Sequence, residues 1–139
     1  MKQTFIILCF LIPFVANGQE NVFLNKNEMV YYKAYEVRDY AIDQSMNSDW
    51  NETEEMIIFD YKNKKLKFPE QDYEVQIQSH VKSKELENAT VLEMYDGIDN
   101  FGNNVAVTYL IKNNKDETEK EIIIALEGKE GYWYRIEEV

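Results

Sequence analysis

The chain predicts an all-β fold, an antiparallel meander of about eight strands forming a strongly curved sheet or small barrel. Three observations carry that expectation. Apolar and polar residues alternate with period two through most segments from residue 28 onward, which is the pattern of strands with one buried face. Short polar breaks rich in Asn, Asp, Gly and Lys separate these segments, so strands adjacent in sequence should pair in space. No long amphipathic helix is available to cover a second sheet face, so the sheet must curl until one face becomes an interior.

Residues 1–18 are expected to stand outside that fold. Lys2 begins a positive segment, residues 5–16 form an apolar run interrupted by Pro13, and Ala16-Asn17-Gly18 places small residues where a signal peptidase reads. A cleaved signal peptide leaves one all-β domain at 19–139, beginning at Gln19 and exported to the periplasm or secreted. An apolar run of this length is short of the about twenty residues needed to span a bilayer, and no later segment approaches it, so the mature chain should carry no membrane span. Cys9 is the one cysteine and lies in the leader, so the exported domain has no thiol for disulfides, catalysis or metal ligation. The domain length is nevertheless enough to bury one core.

Charge narrows the partners. The chain has a formal net charge of −11, with 26 acidic against 15 basic side chains. Such a surface repels phosphate backbones, so no nucleic acid is expected as a partner, nor an anionic membrane surface. Acidity also has a simple use in keeping an exported β-protein soluble.

Taken in order, the segment 28–38 (EMVYYKAYEVR) is rich in tyrosine and valine and reads as a strand at 29–37. Residues 39–55 lack a clean period; 45–51 reads as a loop, 40–46 could supply one helical turn, and Trp50 should pack over one end of the core. The sequence 56–68 (MIIFDYKNKKLKF) alternates on both sides of a polar turn and predicts a hairpin with strands at 56–61 and 65–69. Its expected register sets Phe59 against Phe68, Tyr61 against Leu66 and Asp60 against Lys67, with Asn63-Lys64 at the turn. Pro69 ends the second arm. The cleanest alternation, at 73–81, points Tyr73, Val75, Ile77 and Val81 one way, and Glu74, Gln76, Gln78 and His80 the other. A polar loop or helical turn is expected at 82–88, a strand at 90–95, and an Asx- and Gly-rich loop at 96–104. Strands at 104–112, 120–126 and 132–136 complete the count. In the last of them Tyr132, Trp133 and Tyr134 are consecutive, so Trp133 should face away from both neighbours.

Each candidate site has a plainer reading beside it. Asp96, Asp99, Asn100 and Asn103 cluster oxygen donors in one loop, but EF-hand spacing is not met and an Asx-rich turn needs no ion. His80 is the one histidine, and its parity places it on the solvated face without triad or metal partners. Asn51-Glu52-Thr53 and Asn88-Ala89-Thr90 match the glycosylation sequon, a short pattern common by chance. Carboxylates are so abundant that no pair points to glycosidic chemistry. Catalytic residues, metal ligands and cofactors are therefore assigned as none.

A signal peptide ending before Gln19, then Trp50, the hairpin at 57–68, the Asp99 to Gly102 turn and a final aromatic strand resemble small exported all-β proteins of Gram-negative bacteria whose role is uncharacterised. The strand count is also loosely lipocalin-like, although Ser48 stands where the lipocalin fingerprint has glycine and no helix lies near the C-terminus. The resemblance implies a fold and carries over no site residues.

The function expected is a non-enzymatic exported binding module holding a small apolar ligand within the curved sheet. Phe59, Tyr61, Tyr73, Val75, Ile77, Val107 and Tyr109 are the side chains expected to line that interior. The alternative is a protein-interaction or inhibitor module acting on a protein partner through a sheet edge or aromatic patch.

Overall fold

Alternation carries through into nine strands. The computed structural model describes residues 27–43, 48–87, 90–113, 117–127 and 129–139, so the expected signal peptide at 1–18, Cys9 and Gln19 lie outside the described residues. The strands are β1 (Met29–Ala41), β2 (Asn51–Glu52), β3 (Met56–Asp60), β4 (Lys65–Phe68), β5 (Tyr73–Leu86), β6 (Thr90–Asp99), β7 (Asn104–Asn113), β8 (Thr118–Leu126) and β9 (Glu130–Glu138). All pairings are antiparallel, and each of β3 to β9 pairs with its sequence neighbour. β9 then pairs back onto β1 from Tyr32–Glu138 to Ala41–Glu130, closing an eight-stranded barrel. The ninth strand, β2, continues the line of β3 along the opposite edge of β1. Closure joins the first and last strands of the meander, which an open curved sheet would leave as its two edges.

Inward residues form one core cluster, with Ile57, Phe59, Leu66, Val75, Val107 and Ile122 fully buried. The aromatic rings pack against one another across the interior: Phe59 lies 4.6 Å from Tyr32 and 5.4 Å from Tyr109, centroid to centroid. Hydroxyls at the tyrosine tips find polar partners. Tyr61 and Tyr109 hydrogen-bond Tyr32, and Tyr95 donates to Glu93 Oε1 at 3.0 Å. Burial first, then the neighbouring hydroxyls, pushes the phenols of Tyr61 and Tyr109 well above the ordinary tyrosine value.

The 56–68 hairpin forms, but two residues out of the expected register. Phe59 faces Leu66, Ile58 faces Lys67 and Asp60 faces Lys65. A slip of two preserves parity, so the same side chains stay inward. Asp60 is the cause. Its carboxylate accepts from the Asn63 backbone N–H at 3.1 Å and from Asn63 Nδ2 at 3.0 Å, and pairs with Lys67 Nζ at 3.2 Å. That widens the turn to four residues, in which Lys64, at φ 57°, is left-handed and Asn63 is not, whereas either favoured two-residue turn at Asn63-Lys64 would require positive φ at Asn63.

Other expectations are corrected as well. β5 continues to Leu86 where a loop or helical turn was expected, because its charged residues face solvent while its backbone pairs with β6. Two bulges, between Ile77 and Ser79 and between His80 and Lys82, reset its parity. Val81 is consequently exposed, and His80 joins the inward face beside Tyr95, where its Nε2 hydrogen-bonds Ser83 Oγ at 2.8 Å. β6 likewise runs to Asp99, shortening the expected 96–104 loop to the turn after it. Tyr40 and Ala41 belong to β1 rather than to a helical turn.

Trp50 packs against the outer wall, not one end of the core. Its ring lies under the Arg135 guanidinium at 4.0 Å, is 5.1 Å from that of Arg38, and meets Trp133 edge-on at 5.6 Å. Beneath this stack Glu121, 1% exposed, accepts from Trp133 Nε1 at 2.8 Å and Lys112 Nζ at 3.0 Å. Trp133 does face away from Tyr132 and Tyr134.

Candidate functional site at one barrel mouth

A meander sends alternate connections to the same end. The turns after β4, β6 and β8, with the residues after β1, therefore gather at one mouth of the barrel. Hydrogen bonds hold them together. Asn100 Nδ2 donates to the Asp72 carbonyl at 3.1 Å, the Asn100 N–H donates to the Glu74 carbonyl at 3.0 Å, and the Ile42 N–H donates to the Lys129 carbonyl at 2.7 Å.

Asp99 builds the turn between β6 and β7. Its side chain, 5% exposed, accepts from the backbone N–H of Phe101 at 3.0 Å and of Asn103 at 2.8 Å, and from the Tyr73 hydroxyl at 3.0 Å. Burial by itself raises the carboxyl; the bonds from Asn103, Tyr73 and Phe101 outweigh it and hold the pKa below its ordinary value, so Asp99 is ionised. Gly102, at φ 86°, completes the turn. The oxygen donors of Asp99 are thereby used within the fold as an Asx turn, and Asp96 faces outward and is exposed. Among the described residues no group of three or more His, Cys, Asp or Glu side chains is arranged to hold a metal ion.

Between these turns lies a cavity of about 210 Å³. Five aromatic rings form its wall as an unbroken arc. Centroid separations run 6.3 Å from Phe101 to Tyr73, 5.8 Å from Tyr73 to Phe68, 5.5 Å from Phe68 to Tyr134 and 6.2 Å from Tyr134 to Tyr132. Ile124, Leu126 and Gly131 close the other side, and Gln71, Asp99 and Asn103 supply its polar groups. Gly131 has a backbone reason to be there: a Cβ would stand 1.8 Å from the Ile124 carbonyl oxygen. The two ends of the arc reach solvent, with Phe101 72% and Tyr132 49% exposed.

Polar groups behind the arc fix its inner part. Gln71 Nε2 donates to Glu55 Oε1 and, at 3.2 Å, to the Tyr134 hydroxyl. Burial pushes the Glu55 carboxyl above its ordinary value, with Glu70 adding to the rise against the hydrogen bonds of Gln71 and Tyr134. Burial also raises the phenols of Tyr73 and Tyr134, helped by Asp99 in the first case and Glu55 in the second, so both remain neutral donors.

Of the seven residues expected to line a ligand space, Tyr73 lines this cavity. Phe59, Tyr61, Val75, Ile77, Val107 and Tyr109 are packed into the barrel core, where neighbouring rings and aliphatic chains occupy their surroundings. Phe68, Phe101, Tyr132 and Tyr134 were not among those expected. The signal available was their position, beside the three turns that a meander sends to one end.

No family model, curated protein or solved structure matches this chain. Among the described residues no helix is long and apolar enough to cross a membrane.

Proposed function

We propose that the protein is a non-enzymatic binding module, exported to the periplasm or secreted, that takes a small molecule with an apolar body at the barrel mouth. The observation that supports this reading is the arc of five rings around a space of about 210 Å³. An apolar cavity of roughly 150 Å³ already holds a benzene molecule, so a single ring or a branched alkyl group fits. A drug-sized ligand does not, since such sites run to roughly 300 Å³ and above. The site for the ligand is therefore the mouth, while the middle of the barrel serves as its floor.

Exposure of Phe101 and Tyr132 favours the second reading, a protein-interaction or inhibitor module acting through the same aromatic rim. A sheet-edge mode has less support. Beyond Ile77, where β5 pairs with β6, the strand is bent by two bulges in that ladder and carries Lys82 and Lys84, devices that discourage strand addition.

Titration with phenol, followed by calorimetry and by the NMR shifts of the rim tyrosines, separates the two. Saturable one-to-one binding that Leu126→Trp weakens at unchanged melting temperature supports the ligand site. Absence of binding by phenol and by small organic cations and alcohols alike, with the rim resonances unmoved, favours the interaction module.

A further inference from the structure

We propose that the mouth cavity selects an organic cation, a small ammonium ion carrying alkyl groups, through its aromatic arc and the Asp99 side chain. The inference rests on the binding-module reading above and adds the charge of the ligand. Three observations point the same way.

The first is the wall. An ammonium ion is attracted to the negative face of an aromatic ring within about 6 Å of its centroid, most strongly where water is excluded. Consecutive rings in the arc are 5.5–6.3 Å apart and all five line the cavity, so a cation held in it lies beside several of them. The second is the charge of the lining. It contains no Lys, Arg or His, and its one ionisable carboxylate is Asp99. The hydrogen bonds that Asp99 accepts from the turn hold it in the charged form. The third is the surrounding field. Asp39 and Glu130 line a shallower groove that continues from the cavity over Gly131 and Tyr132, and the chain carries a formal net charge of −11. A concave, low-dielectric site in an acidic protein raises the local concentration of cations.

An anionic ligand would face Asp99 with no basic group to offset it. A neutral apolar ligand would fill the space without using the carboxylate. N-alkyl groups do both, presenting apolar surface to the rings while spreading positive charge over it.

Choline and its neutral isostere 3,3-dimethylbutan-1-ol differ in one atom and a charge, so the pair isolates this claim. Calorimetric titration of the full exported chain should give one-to-one binding of choline at least about tenfold tighter than the alcohol. Added sodium chloride should weaken choline binding and leave the alcohol unchanged. Tyr132→Leu, at an exposed position, and Asp99→Asn should each reduce the preference several-fold, with melting temperature monitored for both. If Asp99→Asn fails to fold, Tyr132→Leu and the salt dependence still decide. Equal or tighter binding of the alcohol overturns the cationic class while the cavity stands, as does phenol binding without choline binding. Failure of all three probes overturns the binding-module reading itself.

Discussion

Asp99 offers the sharpest test of how the mouth is built. Replacing it with alanine removes the acceptor for two backbone N–H groups, the Tyr73 hydroxyl and the Asn103 side-chain amide. Hydrogen bonds to a charged group contribute roughly 1.5–3 kcal/mol each when fully enclosed. Phe101 and Asn103 are exposed, so water recovers part of that for their N–H groups. A net loss of about 3 kcal/mol is expected for Asp99→Ala. That is a large share of the roughly 5–15 kcal/mol that stabilises a typical domain. Asp99→Asn keeps an oxygen for the two backbone donors and should lose about 1 kcal/mol.

The pH dependence follows from the sign of the shift. A carboxyl whose folded pKa lies below its unfolded value, here about 3.9, contributes stability above that value and loses it as pH falls through the folded pKa. The deficit of Asp99→Ala relative to the natural chain should therefore be full at pH 7 and shrink below about pH 4. Asp60 is shifted downward too, its hydrogen bonds to Asn63 and Lys67 outweighing burial, so acid sensitivity should be reduced by the substitution and not abolished. Urea denaturation at a series of pH values reads both quantities. A deficit under about 0.5 kcal/mol at pH 7, or one that stays constant from pH 5 to pH 2, would refute the account.

Other expectations concern the scaffold. Phe59→Ala removes a fully buried ring touching Tyr32, Tyr61 and Tyr109, and should cost about 3–5 kcal/mol in urea denaturation. Glu121→Ala strips Trp133 Nε1, Lys112 and Arg135 of a buried carboxylate; with both cations about a third exposed, roughly 2–3 kcal/mol is expected, alongside a shift in tryptophan emission. Lys64→Gly relieves a left-handed residue while keeping its carbonyl bond from the Ile77 N–H, and should raise stability by up to about 1 kcal/mol. For export, intact mass of the secreted protein should correspond to a chain beginning at Gln19, and a mature form retaining residues 1–18 would contradict the leader assignment.

The fold was legible because each signal was local. Period-two alternation at 73–77 and 104–112 marked the strands, and short polar breaks marked their order, which is enough for a meander. Where the reading slipped, a side chain had changed the local geometry. The Asp60 carboxylate widened a turn, and the bulges of β5 carried His80 inward, events that alternation alone cannot register because it assumes an unbroken pleat. Such a shift leaves the composition of a segment unchanged and alters only which way each residue points.

The site was harder to read for a different reason. Tyrosine abundance favoured a ligand in the interior, yet the buried hydroxyls of Tyr32, Tyr61, Tyr95 and Tyr109 are satisfied by one another and by Glu93. Once a phenol finds such a partner, its ring is as good a filler as phenylalanine, and the middle of the barrel can close. At the mouth the balance differs. Phe101, Tyr132 and Leu126 stand where strands end and the wall has no further layer to pack against. Their exposure follows from topology and not from any local pattern, since Phe101 sits in the turn after β6 while Leu126 and Tyr132 flank the turn after β8, and the meander sends both turns to one end. On the binding-module reading proposed above, apolar side chains at one rim that the core leaves uncovered form the ligand's surface, and Asp99 in the same lining gives that surface a sign.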